Sequence, residues 1–177
     1  MARSAQLTRS VRIDRDVDEG LRRLAKEYGV SVNALALRAI RRYAEWDSFA
    51  EKFGFVDMPG SIVARMVRDL DEPQVADLGA WVGSTLLKEY VTFWFKEVTL
   101  ETVLDACPRL IAKYGRLFEY EERDDGGRRT LILKHEGGRT ISLFYEHVMK
   151  GAFEQLLGKP VSVERMENQV VARFNVP

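Results

Sequence analysis

Apolar and polar residues alternate near the N-terminus and predict a short strand over residues 7–13. One face of this strand is apolar and carries Leu7, Val11 and Ile13, whereas the other is polar and carries Thr8, Ser10 and Arg12. A lone strand with one apolar face is unstable, because its backbone groups and its side chains need a second strand and a core. We therefore expect a second copy of the chain to provide both.

The apolar residues that follow are spaced as in helices, and they predict two of them. The first helix is expected from about Asp16 to Gly29, where the glycine suits a C-terminal cap. Ser31 suits the N-cap of the second helix, which is expected to run past Tyr43 as far as Gly54. The aromatic residues in its last turns are interpreted as packing residues rather than as a ligand pocket; they are Trp46, Phe49 and Phe53.

The next part of the chain is predicted to be helical in three segments, 61–70, 74–96 and 100–114. Pro108 is expected to kink the third segment or to divide it into two short helices. The sequence YVTFWF at 90–95 also suits a buried strand, since it is aromatic and β-branched, although helix is the preferred interpretation.

From Gly115 onwards the pattern changes to short strands separated by turn residues, with Gly126 and Gly127 marking a hairpin turn. Strands are predicted at 117–122, 130–135, 161–166 and 170–175, and an amphipathic helix at 140–157. The expected fold class is α+β. We expect an N-terminal domain at 1–54 and a second domain at 55–177, which is helical over 61–114 and has the order β-β-α-β-β over 115–177.

Residues 7–46 carry a resemblance to a known family. The alternating VRID, the helix DVDEGLRRLAKEYG and the turn GVSVNAL follow one another in the order strand, helix, helix. This stretch resembles the ribbon-helix-helix family, the Arc and MetJ class of repressors, in which two chains pair their strands into a ribbon that enters the major groove of DNA. Residues that match the core positions of that family are Leu35, Ala39, Ile40 and Tyr43.

The resemblance implies that Thr8, Ser10 and Arg12 point into the groove and contact bases. Arg9 stands where the family usually has an apolar residue. Either the strand begins at Ser10, which would remove Thr8 from the base-contacting set, or the side chain of Arg9 extends to a phosphate.

The N-terminus of the second helix is the other expected DNA contact. In the family this turn binds a phosphate, so the resemblance implies that the backbone at Ser31, Val32 and Asn33 does so in this chain. The alternative is that Ser31 only caps the helix.

The charge distribution adds to this expectation. The chain has 27 basic and 27 acidic residues, but residues 1–45 contain ten Lys or Arg against six Asp or Glu, an excess of four positive charges. Such an excess suggests binding to a polyanion. A single cysteine, Cys107, fits a reducing compartment, and no apolar run is long enough for a membrane span. A cytoplasmic protein with no membrane association is expected.

The rest of the sequence contains few candidate metal ligands or catalytic residues. Strong transition-metal ligand types are limited to His135, His147 and Cys107, which lie on different predicted elements. Some ribbon-helix-helix repressors bind nickel through a His-rich C-terminal domain, but this chain lacks their clustered His-x-His pattern. No metal or other cofactor is therefore expected. The sequence offers no nucleophile with an orienting base and no phosphate-binding loop, so no catalytic activity is expected either.

These patterns lead to a functional hypothesis and a rival. The first is a sequence-specific DNA-binding transcriptional regulator that binds double-stranded DNA as a homodimer or tetramer. Its C-terminal domain, which resembles uncharacterised domains of some archaeal ribbon-helix-helix proteins, would bind a small-molecule or protein effector or mediate assembly. The rival is an antitoxin-like or scaffold protein that uses the N-terminal module only to dimerise and binds a protein partner through its C-terminal domain.

Overall fold

Helices account for most of the chain, and four strands near its C-terminus form one antiparallel sheet. The computed structural model describes residues 7–176, and for residues 107–109 the backbone alone. Contacts divide the chain into two compact units, of which the first ends at Gly54 and the second begins at Phe55. The α+β class predicted from the sequence is confirmed.

The N-terminal unit contains helices α1 (Arg15–Tyr28), α2 (Val32–Arg42) and α3 (Ser48–Lys52), with a π-helical turn at Tyr43–Asp47 that joins α2 to α3. Both predicted caps are confirmed. Gly29 ends α1 in the left-handed conformation, with φ 64°, and its N–H donates to the carbonyl of Ala25. Ser31 begins α2, because its hydroxyl accepts a hydrogen bond of 3.1 Å from the N–H of Ala34.

The helix that starts at α2 continues past Tyr43, as predicted, and the π-helical turn provides the continuation. Across this turn, Arg42 Nε lies 3.0 Å from the Oδ1 atom of Asp47, five residues later. Trp46 and Phe49 are buried, with their ring centroids 5.8 Å apart. This agrees with their interpretation as packing residues.

The strand predicted at residues 7–13 is absent from the single chain, where residues 7–14 have no regular secondary structure. The physical reason is that a strand needs a neighbour to bond its N–H and C=O groups. Among the described residues, the four strands are all in the C-terminal unit and pair with one another.

The C-terminal unit begins with helices, and their bounds are α4 (Gly60–Arg68), α5 (Glu72–Trp81), α6 (Leu87–Phe95) and α7 (Leu100–Leu104). A π-helical segment at Val82–Leu86 joins α5 to α6, so residues 90–95 are helical, as preferred. A second π-helical segment, Asp105–Gly115, continues α7. The division expected at Pro108 does not occur, since the backbone from Asp105 to Gly115 forms one continuous π-helical segment.

The predicted β-β-α-β-β order is confirmed. Its elements are β1 (Glu119–Asp124), β2 (Arg128–Lys134), α8 (Gly138–Lys150), β3 (Ser162–Arg165) and β4 (Gln169–Asn175), with a π-helical segment at Gly151–Leu156 extending α8. The strand order in the sheet is β1-β2-β4-β3, and all neighbours are antiparallel. The two hairpins therefore meet at β2 and β4, the central strands.

Alternate residues of the central strands face the core of this unit. Leu131 and Leu133 of β2 and Val170 of β4 are at most 1% exposed, and they belong to one cluster with Phe153. The opposite face of the sheet is polar at its surface. There Lys134 donates to the carboxylate of Glu121 and thereby lowers the pKa of that group.

Helices α5 and α8 approach closely because glycines lie where they cross. A Cβ atom at Gly79 would lie 2.5 Å from the carbonyl oxygen of Phe144, and one at Gly151 would lie 2.7 Å from that of Ala80. At Gly83 a Cβ atom would collide with the backbone of Val148. The spacing of these helices therefore depends on residues without a side chain.

Candidate nucleic-acid interface

The segment that precedes α1 is exposed along its whole described length. Its predicted base-contacting residues, Thr8, Ser10 and Arg12, all face solvent, and so does Arg9. The segment ends at Asp14, the N-cap position of α1, whose backbone is extended with φ −71° and ψ 155°. These polar side chains are therefore accessible to a ligand.

The N-terminus of α2 is the second predicted contact. Ser31 and Asn33 are exposed and Val32 is half-buried. The hydroxyl of Ser31 bonds the N–H of Ala34, and the first intrahelical bond runs from the N–H of Leu35 to the carbonyl of Ser31. The N–H groups of Val32 and Asn33 lie before that first bond, so they remain free of the helical ladder and can bind an anion.

Large apolar side chains in this unit are exposed to an unusual extent. Among its described residues the buried ones are Ala25, Leu35, Trp46 and Phe49. The exposed fraction reaches 80% at Leu7. Exposed apolar side chains that come together in one patch mark a surface that contacts a partner. Eight large hydrophobic residues of the unit are exposed: Leu7, Val11, Ile13, Val17, Tyr28, Leu37, Ile40 and Tyr43.

The four positions that match the core of the ribbon-helix-helix family behave differently from one another. Leu35 is buried, with 8% of its surface exposed, whereas Ala39, Ile40 and Tyr43 are exposed. In the single chain, these three therefore do not form a core.

The basic residues of the unit fall into two groups. Some form ion pairs within the helices, such as Arg15 with Glu19 at 3.0 Å and Arg22 with Asp18 at 2.6 Å. A second group forms no ion pair with any described residue, so its charge is available to an external anion; these residues are Arg9, Arg12, Arg23, Lys26 and Arg38.

The structure thus places the predicted site residues in two groups. Ser31, Val32 and Asn33 are consecutive at the start of one helix. Within residues 7–54, no hydrogen bond or ion pair joins that helix end to the segment that carries Arg9 and Arg12.

The C-terminal unit contains a buried polar cluster that sequence reasoning missed. His135 is 8% exposed and Ser142 is fully buried, with 3.0 Å between the Nε2 atom of the histidine and the serine hydroxyl. Burial lowers the pKa of His135. The signal in the sequence is weak, because a serine on an otherwise apolar helix face also occurs without a function.

Among the described residues, no group of three or more His, Cys, Asp or Glu side chains is placed so that it could hold a metal ion. The side chain of Cys107 lies outside the described residues.

No protein-family model matches the chain, and no curated protein is significantly similar to it in sequence. Within residues 7–176, no helix is both long enough and apolar enough to cross a membrane.

Proposed function

We propose that this chain is a sequence-specific DNA-binding transcriptional regulator that acts as a homodimer. The observation that supports the proposal best is the set of eight exposed apolar side chains in the N-terminal unit, spread over the segment before α1, over α1 and α2, and over the start of the π-helical turn after α2. A second copy of the same unit would cover them. Three of the eight, Leu7, Val11 and Ile13, lie on the apolar face of the strand predicted from the sequence.

Dimerisation would also give residues 7–14 a regular structure. Two such segments can pair antiparallel, so each provides the hydrogen-bonding neighbour that the other lacks. Burial of a large apolar side chain contributes roughly 1.5–3 kcal/mol. Covering Leu7, Val11 and Ile13 would therefore offset much of the entropy lost in ordering the segment.

In the proposed ribbon, the polar face carries Thr8, Ser10 and Arg12, and these residues contact base edges in the major groove. The guanidinium of Arg12 can donate two hydrogen bonds to one guanine. Arg9 contacts a phosphate from the flank of the ribbon.

The N-terminus of α2 positions the dimer on the DNA backbone. The free N–H groups of Val32 and Asn33, together with the positive end of the helix dipole, bind a phosphate. Unpaired basic residues such as Arg23, Lys26 and Arg38 add attraction that does not depend on sequence, since each neutralised phosphate releases counterions.

The C-terminal unit, from Phe55 onwards, is proposed to bind an effector or to mediate assembly of dimers into a tetramer. It accounts for most of the chain and has a core of its own. A DNA-binding module as small as the N-terminal unit does not need a second domain in order to bind DNA.

The test begins with selection of bound fragments from random double-stranded DNA by the full chain, followed by footprinting of the enriched sequence. Arg12→Ala is then compared with Lys26→Ala on the selected site and on unrelated DNA. We expect Arg12→Ala to lose roughly 1–3 kcal/mol on the selected site and to relax the preference at one base pair, because a bidentate contact is lost. Lys26→Ala should weaken both DNAs alike and reduce the salt dependence.

Equal losses for Arg12→Ala on the selected site and on unrelated DNA would disprove the base contact. If the full chain forms dimers but retains no DNA in the selection, the N-terminal unit serves dimerisation alone, and the antitoxin-like or scaffold hypothesis takes precedence.

A further inference from the structure

His135 lies at the junction of three elements of the C-terminal unit. It directly follows β2, and its backbone N–H donates to the carbonyl of Asn168 in the turn between β3 and β4, at 3.0 Å. Its ring contacts α8, where Ser142 bonds Nε2 and the ring of Tyr145 lies 5.4 Å away between centroids. We refer to His135, Ser142 and the backbone of Glu167 as the His135 cluster.

The hydrogen bonds of the cluster determine the protonation state of the imidazole. The N–H of Gly137 donates to Nδ1 at 3.2 Å, so Nδ1 carries no proton. The hydroxyl of Ser142 donates to the carbonyl oxygen of Glu167 at 3.0 Å, so it is free to accept from His135. The neutral ring therefore carries its proton on Nε2 and donates it to Ser142.

A second hydrogen bond also joins the start of α8 to the β3–β4 turn. The side-chain oxygen of Asn168 accepts a hydrogen bond of 2.9 Å from the N–H of Gly138, the first residue of α8. The start of α8 and the β3–β4 turn are thus connected through Ser142 and through Asn168. The loop between β2 and α8 is bonded to the same turn by His135, whose N–H donates to Asn168 and whose Nδ1 accepts from the N–H of Gly137.

We propose that the His135 cluster is an acid-sensitive latch, which joins the start of α8 to the β3–β4 turn while His135 is neutral and releases it when His135 is protonated. Protonation would place a hydrogen on Nδ1 that faces the N–H of Gly137, so two donors would oppose each other where one accepted bond existed. It would also place a positive charge on a buried ring.

Within the described chain, no charged side chain hydrogen bonds to the ring. The ring contacts Tyr145 and Ser142 on α8, and Glu167 contributes its backbone carbonyl. The charged residues nearest in sequence on these elements either pair elsewhere or make no bond to the ring: Lys134 bonds Glu121, Glu146 bonds Lys150 and Arg165, and Glu136, Arg139 and Glu167 do not bond the imidazole.

The direction of the pH dependence follows from burial, which lowers the pKa of His135 below its ordinary value of 6.5. Above pH 6.5 the ring is neutral whether the latch is joined (closed) or released (open), so the population of the open form does not depend on pH. Below 6.5 the open form binds a proton that the closed form does not, and the open population rises roughly tenfold for each pH unit until the closed form is protonated too.

The experiment measures amide hydrogen exchange of the full chain by NMR between pH 5 and pH 8, expressed as protection relative to an unstructured peptide at each pH. We expect protection at His135, Gly137 and Gly138 to be constant above pH 6.5 and to fall below it. Protection in the centre of β2, at Leu131, should change less. The nitrogen-15 shifts of the imidazole should show the proton on Nε2 at pH 7.5.

Two variants complete the test. His135→Asn retains an acceptor for the N–H of Gly137 but cannot be protonated, so its protection at Gly137 and Gly138 should not fall between pH 7 and pH 5. His147→Gln removes the other histidine and should keep the response of the unmodified chain.

The proposal is overturned if the imidazole of the unmodified chain titrates at or above 6.5, or if its proton lies on Nδ1. It is also overturned if protection at Gly137 and Gly138 is independent of pH. These measurements on the unmodified chain decide the matter even if His135→Asn does not fold.

Discussion

At the scale of single residues, the start of α2 combines a side-chain cap with the proposed phosphate site. Ser31 caps α2 through its hydroxyl, as predicted from its position between Gly29 and the apolar residues of the helix. The proposed binding of a phosphate uses the backbone N–H groups of the next two residues instead. Capping and anion binding therefore respond differently to the charge at position 31.

Substitutions at Ser31 distinguish capping of α2 from binding of the phosphate. Both Ser31→Asn and Ser31→Asp should keep α2 stable, because both side chains are good N-caps. On the selected DNA site, Ser31→Asn should bind within about twofold of the unmodified chain. Ser31→Asp places a carboxylate where the phosphate is expected, and the resulting repulsion should weaken binding roughly tenfold, or about 1.4 kcal/mol. Thermal unfolding and DNA titration of the two variants provide the measurements, and equal affinities would show that this helix end does not bind phosphate.

At the scale of elements, α5 and α8, with the π-helical segments that continue them, are packed through backbone contacts that leave no space for a side chain at Gly79, Gly83 or Gly151. Gly20, in the middle of α1, is different, since a Cβ atom there would meet nothing within 4 Å. A glycine inside a helix weakens it by roughly 0.5–1 kcal/mol relative to alanine. This cost is offset at Gly83 by the close approach of the two helices.

Substitution of Gly83 and substitution of Gly20 are therefore expected to change the free energy of unfolding in opposite directions. Gly83→Ala should lower the free energy of unfolding of the C-terminal unit by roughly 1–3 kcal/mol, because the helices must separate or strain. Gly20→Ala should raise that of the N-terminal unit by roughly 0.5–1 kcal/mol. Urea unfolding followed by circular dichroism measures both. A Gly83→Ala variant as stable as the unmodified chain would contradict the observed packing.

At the scale of the whole molecule, the two units differ in how their apolar residues are covered. The C-terminal unit has a cluster of fifteen buried residues, including Leu131, Leu133 and Phe153, whereas the described residues of the N-terminal unit include four buried ones. The N-terminal unit should therefore depend on a second copy for its stability, and the C-terminal unit should not.

Calorimetry at two protein concentrations tests this difference. We expect two thermal transitions, and the midpoint of one should rise by several degrees when the concentration is raised tenfold, because that unit unfolds from a dimer. Gly83→Ala identifies the other transition, since it lowers the midpoint of the C-terminal unit. An Ile40→Asp variant places a charge on the exposed apolar surface and should abolish the concentration dependence. If neither midpoint depends on concentration in the unmodified chain, the proposed dimer is wrong.

The sequence by itself determined the features that depend on near neighbours. The caps at Gly29 and Ser31, the hairpin turn at Gly126 and Gly127 and the β-β-α-β-β order follow from local backbone preferences and from the spacing of apolar residues. The candidate DNA contacts have another basis, since they rest on the resemblance of residues 7–46 to the ribbon-helix-helix family, and they stay a prediction.

The tertiary structure alone decided the features that join distant positions. Ser142 meets the backbone of Glu167, 25 residues away, and Gly83 meets Val148, and no local pattern specifies either pairing. The absence of the strand predicted over residues 7–13 has a different explanation. Its alternation of apolar and polar residues is local, but its hydrogen bonds must come from another strand, which the single chain does not supply. Local spacing thus specifies which elements can form, and only packing against a particular neighbour decides which of them do.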